Sequence, residues 1–240
     1  PPEYVEKIVE AAKSCNAGIH VHLAETLAEQ RQIAAGYGQT PTEYLNDLGV
    51  FELPTLAAHS VYLNDTDIEI LKAHNVGIAH NPTSNLKLAS GIANIPKYLQ
   101  AGLNVGLGTD GCSSNNTLNM FKEMAICSFV QKVNAMNPTV LPAEEILNMA
   151  TIGGAKVLRW DDEIGTLEVG KKADLILVDI DKPHFAPWNN PVSDLVYSAQ
   201  GSDVKTTIVN GKILMKDYEV LTLDVERIMA ETERIARNVL

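Results

Sequence analysis

Positive charge is scarce in this 240-residue chain: 19 Lys and Arg residues are outnumbered by 30 Asp and Glu residues, which gives a formal net charge of −11 at pH 7. Nucleic acids and anionic membranes bind clustered Lys and Arg side chains, so the balance argues against either partner. Long hydrophobic runs are also missing, because no apolar stretch approaches the roughly 20 residues that a membrane-spanning helix needs. We therefore expect a small molecule as the partner, with neither nucleic acid nor membrane.

Cysteine is equally scarce, with only Cys15, Cys112 and Cys127. The odd number and the wide spacing indicate neither a disulfide framework nor a cysteine-based zinc site. We therefore expect a reducing, cytoplasmic environment. An initiator Met is missing as well, since the chain opens with Pro1-Pro2 and continues at once with a helical pattern. We expect from this that the sequence begins in the middle of a longer polypeptide.

The first 160 residues contain short apolar runs, typical of buried strands, that alternate with segments of helical periodicity. The order is βα, repeated about four times, which predicts parallel strands joined by helical crossovers in either a doubly wound sheet or a barrel. A polar residue follows or ends each run, and a closed ring directs every strand end towards one centre, so the pattern favours a (β/α)8 barrel of which half is present. The predicted strands are 20–25, 53–59, 76–80 and 104–108, and the predicted helices are 2–16, 26–33, 40–49, 65–73, 95–100, 118–130, 142–149 and 153–158.

The pattern changes after Trp160. Residues 165–179 predict a turn, a short strand, a glycine turn and a second strand, and residues 206–215 predict a hairpin with Asn210-Gly211 as its turn. A small β module of this kind needs a partner sheet for stability. We therefore divide the chain into part of a barrel (1–160), part of a β-sandwich (161–222) and a C-terminal amphipathic helix (223–240).

Histidine and carboxylate residues stand at three of the predicted strand ends. Alternation along a strand places His20 and His22 on one face, with the carboxylate of Glu25 at the strand end. Histidines on one strand are more often core residues than ligands, but His59 and Asp110 end or follow two further strands. Neutral imidazoles and carboxylates are the ligands of hydrolytic zinc or iron sites, which keep an open position for water and lower its pKa towards about 7. Asp110 could also accept the proton of that water.

Five stretches together resemble one known family. They are HVHLAET (20–26), AAHSVYL (57–63), HNPTSNLKLASG (80–91), GLGTDGCSSNN (106–116) and IGTLEVGKKADLILVD (164–179). In this order they resemble the amidohydrolase superfamily, and within it the branch of methylthioadenosine/S-adenosylhomocysteine deaminases and related chlorohydrolase-like enzymes.

The resemblance implies a metal-dependent α/β hydrolase built on a TIM-type (β/α)8 barrel that carries a small β-sandwich module. It implies one divalent metal, zinc or alternatively iron, held by His22 from the fifth strand and by Asp110 from the eighth, with Asp110 also the general base. His59, on the sixth strand, would polarise the attacking water. Glu25 would contact the purine and shuttle a proton, Ser114 would contact the substrate, and His80 would shape the pocket.

The implied reaction is hydrolytic deamination of an aminopurine nucleoside thioether, with guanine or a triazine as the alternative substrate. The family takes two more metal ligands from a His-x-His on its first strand, and no such motif precedes His20. We expect that the missing N-terminal half exists as a further part of the protein or as another chain, and that this portion alone is inactive. The alternative is a non-catalytic fragment or subunit. A homo-oligomer is a further expectation from the resemblance.

Overall fold

A computed structural model describes residues 2–239. Its first sheet has four parallel strands, and the predicted strands are confirmed to within a few residues at their ends. The strands are β1 (Ile19–Leu23), β2 (Thr55–His59), β3 (Gly77–His80) and β4 (Asn104–Leu107). They lie side by side in the order β1-β2-β3-β4. A doubly wound sheet would reverse this order at a switch point, whereas a barrel keeps it sequential.

Helices join the strands and surround the sheet. Those of the barrel-like part are α1 (Pro2–Cys15), α2 (Leu27–Tyr37), α3 (Pro41–Asp47), α4 (Asp65–Ala73), α5 (Pro82–Lys87), α6 (Ile95–Ala101), α7 (Cys112–Asn115), α8 (Met120–Asn134), α9 (Ala143–Asn148) and α10 (Gly154–Leu158). The polar stretch 81–85, for which the sequence patterns predict no helix, contains the start of α5 at Pro82, whose fixed φ suits a first helical turn. A π-type turn over Met149–Gly153 joins α9 to α10.

The core lies between the sheet and these helices. Val21, Ala57, Ile78 and Val105 are neighbours in register across the four strands, and the last three of them are fully buried. Helix α10 packs so closely on the sheet that a Cβ on Gly77 would lie 2.8 Å from the carbonyl oxygen of Val157. Glycine is therefore required at this point of contact.

Thr26 caps helix α2, because its side chain accepts a hydrogen bond from the N–H of Glu29. Glu29 does not complete a capping box with Thr26. The Glu29 carboxylate accepts hydrogen bonds from the N–H groups of Ala24 and Glu25, both at 2.8 Å, rather than from Thr26. Glu29 therefore fixes the loop directly after β1.

The second sheet is antiparallel and contains β5 (Leu175–Val178), β6 (Val204–Val209), β7 (Lys212–Lys216) and β8 (Glu219–Val220) in that order. The predicted hairpin is confirmed, with Asn210 and Gly211 at φ 48° and 74° in the turn. The short strand expected near Leu167 is wrong: Leu167 and Val169 are exposed, and within residues 2–239 no strand pairs with this segment.

Two further helices lie after residue 160. Helix α11 (Pro191–Tyr197), which the sequence patterns did not predict, packs on α8 and α9. Helix α12 (Val225–Val239) matches the predicted amphipathic helix and has no buried residue. No helix within residues 2–239 has both the length and the apolar character needed to cross a membrane.

Candidate metal centre

Three strand ends of the parallel sheet bring His22, His59 and Asp110 together. One ligand atom of each side chain lies within 4.8 Å of the corresponding atoms of the other two. His22 is exposed, His59 is buried and Asp110 is half-buried. The convergence predicted from the sequence is therefore present, and it also places His59 within reach of an ion held by the other two residues.

The backbone at these strand ends is unusual. Ala24, His59, Ser60 and Asp110 have φ values of 50°, 70°, 48° and 57°, in the left-handed region that residues with a side chain rarely adopt. Such residues cost of order 1–3 kcal/mol each and cluster at active sites. At these strand ends the strained residues are the ligand-bearing residues or their neighbours, although residues with positive φ also occur elsewhere in the chain.

His59 is held by a single hydrogen bond. Its Nδ1 lies 2.8 Å from Oδ1 of Asn85 on helix α5, and both side chains are almost completely buried. With the amide oxygen as acceptor, Nδ1 carries the proton and the lone pair of Nε2 is directed at the site. The ring centroid is 5.3 Å from that of His22, and Nε2 is 3.7 Å from Oε2 of Glu25.

Asp110 is held by two serines. The hydroxyl of Ser84 and the hydroxyl of Ser114 both donate to its Oδ2, at 2.6 and 2.8 Å. Burial by itself would raise the pKa of Asp110, but these two hydrogen bonds, together with the backbone N–H of Gly111 and the nearby His59, outweigh it and the pKa is lowered. The carboxylate is thus kept in the ionised form that binds metal or accepts a proton. Ser114 contacts Asp110 in addition to its predicted position near the substrate.

Glu25 is oriented from its other side. The hydroxyl of Ser90 donates to Glu25 Oε1 at 2.9 Å, and the carbonyl of Ser90 accepts a hydrogen bond of 2.6 Å from the Tyr62 hydroxyl. A Cβ on the next residue, Gly91, would lie 2.6 Å from that hydroxyl oxygen. Glycine at 91 therefore allows Tyr62 to reach Ser90, and the segment around Ser90 is fixed against Glu25.

His20 and His80 do not join the cluster. His20 is exposed on β1. His80 is buried, and neither of its ring nitrogens has a hydrogen-bond partner among the described residues. Burial, assisted by the nearby His59, lowers the pKa of His80 to about 3, so the ring is neutral.

The donor set fits a divalent metal. Two imidazoles and one carboxylate are the ligand types of catalytic zinc sites, which use three protein ligands and leave a position for water. Non-haem iron accepts the same set. His59 is fixed by Asn85 and Asp110 by two serines, as is usual for the residues that support metal ligands.

Sequence reasoning missed the supporting residues Ser84, Asn85 and Ser90, which belong to one segment that follows β3. Ser84 and Asn85 are each 26 residues from the side chain they contact, and Ser90 is 65 residues from Glu25. Their only sequence signal was their place within the stretch HNPTSNLKLASG.

Comparison with known proteins bears on this arrangement. The family model described as "Amidohydrolase family" matches residues 1–214. The chain belongs to the amidohydrolase family. A 5-methylthioadenosine/S-adenosylhomocysteine deaminase of Caldanaerobacter subterraneus is 52% identical to this amidohydrolase chain over 239 residues, which are 100% of the chain and 55% of that protein. A 5′-deoxyadenosine deaminase of Methanosarcina mazei is 49% identical over 234 residues, 98% of the chain and 54% of that protein.

Solved amidohydrolase structures show the same fold. An adenosine deaminase from Xanthomonas campestris with bound zinc superposes with a TM-score of 0.95 at 33% identity, over 100% of this chain and 54% of that one. An atrazine chlorohydrolase from Arthrobacter aurescens, complexed with zinc, gives a TM-score of 0.89 at 29% identity, over 98% and 52% of the two chains. The chain therefore spans about half the length of the relatives it matches.

Proposed function

We propose that this chain supplies the C-terminal half of the active site of a metal-dependent hydrolytic deaminase. The substrate class is an adenosine modified at its 5′ carbon, such as methylthioadenosine or S-adenosylhomocysteine. The observation that carries the proposal is the convergence of His22, His59 and Asp110 within 4.8 Å of one another, with Glu25 beside His59. The 52% identity to a methylthioadenosine/S-adenosylhomocysteine deaminase supports the choice of substrate.

His22 and Asp110 would hold the metal, and His59 would either complete the set or polarise the water beside it. When bound, a divalent metal supplies Lewis-acid activation of a water molecule at neutral pH. Zinc is the proposed ion, because two of the similar structures contain it and the imidazole-carboxylate set suits it. Iron is the alternative that the same ligands accept.

The side chains then divide the proton transfers between them. Asp110, kept ionised by its two serine hydrogen bonds, accepts a proton from the attacking water. His59 presents an unprotonated Nε2 to the same water. Glu25 protonates the ring nitrogen of the purine, and Ser114 contacts the substrate. Water oxygen bonds to the amidine carbon, the C–N bond breaks, and the two water protons end on the ring nitrogen and on ammonia.

The proposed 5′-modified adenosine is favoured over the alternative substrates by sequence identity. The two relatives near 50% identity are named for S-adenosylhomocysteine, methylthioadenosine or 5′-deoxyadenosine, which share an altered 5′ position. The triazine enzyme is only 29% identical, and a guanine deaminase is only 26% identical.

The rest of the proposed protein completes the fold. Four sequential parallel strands form half of a (β/α)8 barrel, and the outer edges of β1 and β4 are unpaired within the described residues. Edges of this kind are normally covered. We propose that a further N-terminal half closes the barrel and supplies the His-x-His ligands, with 1–160 as half-barrel, 161–222 as part of a sandwich and 223–240 as a terminal helix. A cytoplasmic homo-oligomer remains part of the proposal.

The test is turnover by the zinc-loaded full-length protein, measured as ammonia release from methylthioadenosine, S-adenosylhomocysteine, 5′-deoxyadenosine and guanine, and as chloride release from a chlorotriazine. We expect turnover of the three adenosines and none of guanine or the triazine. Turnover of guanine or the triazine alone would replace the proposed substrate class. If zinc-loaded protein released no ammonia from any compound, the deaminase proposal would be wrong.

A further inference from the structure

Glu123 is a completely buried carboxylate on helix α8, and neither the sequence motifs nor the roles proposed above involve it. It contacts two separate segments that carry the side chains around the metal centre. Its two oxygens each accept one hydrogen bond from a different segment.

The first contact fixes the segment after β3. Oε2 of Glu123 accepts a hydrogen bond of 3.1 Å from the backbone N–H of Thr83, in the first turn of helix α5. The N–H groups of a first helical turn have no partner within the helix, so a side chain must satisfy them when they are buried. The next two residues are Ser84, which donates to Asp110, and Asn85, which holds His59.

The second contact fixes the segment after β4. Oε1 of Glu123 accepts a hydrogen bond of 2.8 Å from Nδ2 of Asn115, and the same Nδ2 donates to the carbonyl of Thr109 at 2.6 Å. Thr109 and Asn115 bracket the turn that contains Asp110 and Ser114. The amide of Asn115 therefore ties both ends of this turn to Glu123.

A buried carboxylate is a costly way to hold a helix against a sheet. No salt bridge neutralises Glu123 within residues 2–239, because the ammonium group of the adjacent Lys122 contacts Oδ1 of Asn115 instead. Burial of a charge is unfavourable unless hydrogen bonds compensate, and apolar residues of similar volume commonly stabilise a core as well or better. The two carboxylate oxygens of Glu123 accept hydrogen bonds in fixed directions and so orient both segments, which an apolar side chain could not do.

We infer that Glu123 is a positioning residue: one carboxylate locks the α5 segment and the Asp110 turn together and so sets the relative positions of His59 and Asp110. Its effect on turnover rests on the proposed deaminase function, whereas its effect on loop order and on zinc binding does not.

The test is Glu123→Gln in the full-length protein. Glutamine has the same shape, but an NH₂ donor replaces one of the two acceptor oxygens. That NH₂ group must therefore face another donor, either the backbone N–H of Thr83 or the side-chain N–H of Asn115. We expect faster amide hydrogen exchange in both 82–90 and 108–116, and zinc binding weakened by about 10–100-fold, as is usual when a residue that supports metal ligands is lost. If the enzyme deaminates methylthioadenosine, kcat should fall by a similar factor of about 10–100 while KM stays nearly constant.

Two further variants separate positioning from general destabilisation. Asp203→Asn changes an equally buried carboxylate in the second sheet region, which accepts hydrogen bonds from Lys182, His184 and the N–H of Gln200. It should leave exchange in the two segments and zinc affinity unchanged. Asn115→Ala removes the second contact of Glu123, together with the other hydrogen bonds of this amide, but keeps the first, and it should speed exchange in 108–116 while leaving 82–90 near wild type.

Wild-type exchange and zinc affinity in Glu123→Gln would overturn the inference, as would the same losses in Asp203→Asn. If Glu123→Gln does not fold, Asn115→Ala decides the question. A change in the amide hydrogen-exchange rate that is the same in 82–90 as in 108–116 would contradict the inference that Glu123 holds the two segments by separate contacts. If the wild-type protein binds zinc but does not deaminate adenosines, the proposed function is wrong. Hydrogen exchange and zinc affinity in the variants still test the role of Glu123 in that case.

Discussion

Replacement of Asn85 by alanine should weaken metal binding although no residue proposed to bind the metal is substituted. The change removes the acceptor, at 2.8 Å, that the described residues offer to the Nδ1–H of His59, and both residues are about 1% exposed, so the ring lies away from bulk solvent. A buried donor left unpaired costs about 1–3 kcal/mol. At about 1.4 kcal/mol per factor of ten, this corresponds to roughly 5–150-fold in zinc affinity when the cost is felt as lost orientation of the ring.

The assay is zinc affinity by competition with a chromogenic chelator, together with the free energy of unfolding of the same samples. Asn190→Ala is the control, because Asn190 caps helix α11 by accepting from the N–H of Ser193 at 3.0 Å, and loss of a cap costs about 1 kcal/mol. We expect both variants to lose stability but only Asn85→Ala to lose zinc affinity. Wild-type zinc affinity in Asn85→Ala, at reduced stability, would refute this account of His59.

The remaining predictions concern the fold and the metal. Burial would raise the pKa of Asp203, but hydrogen bonds from Lys182, the Gln200 N–H and His184 lower it. The stabilising effect of the ionised Asp203 is therefore present above about pH 4 and is lost as pH falls through the lowered folded-state pKa. In acid denaturation series, the difference in unfolding free energy between wild type and Asp203→Asn should shrink over the same pH range. Gly36→Ala should stabilise helix α2 by about 0.5–1 kcal/mol, because nothing lies within 4 Å of the added Cβ. Gly77→Ala should destabilise by about 1–3 kcal/mol, because its Cβ would lie 2.8 Å from a backbone oxygen; equal melting temperatures for these two glycine variants would contradict the packing described. Chelation of zinc should lower the melting temperature of the full-length protein, since a ligand bound only to the folded state stabilises it, and an unchanged melting curve would contradict a bound metal.

The sequence allowed the parallel sheet and the ends of its strands to be predicted because both depend on local patterns. Apolar runs of four to six residues separated by helical periodicity locate β1 to β4 in the chain, and a polar residue at a strand end marks the edge where such sites form. His22, His59 and Asp110 are all found this way, and the structure places them together.

The supporting residues could not be predicted in the same way, because their roles depend on contacts between distant parts of the chain. Glu123 lies 40 residues from Thr83, and nothing in the helical pattern of α8 distinguishes it from a solvent-exposed glutamate. The short strand expected near Leu167 was wrong for a related reason: its sequence suits a strand, but the described chain offers no partner with which it could pair. Pairing partners and long-range acceptors are properties of the assembled fold.

The metal centre is tested most directly by a zinc titration of the metal-free full-length protein, with ammonia release from methylthioadenosine as the readout. We expect no release before zinc is added, a linear rise that stops at one zinc per chain, and no rise for Asp110→Asn. Wild-type turnover without zinc, or full turnover by Asp110→Asn, would contradict the assignment of this cluster as the metal centre of a deaminase.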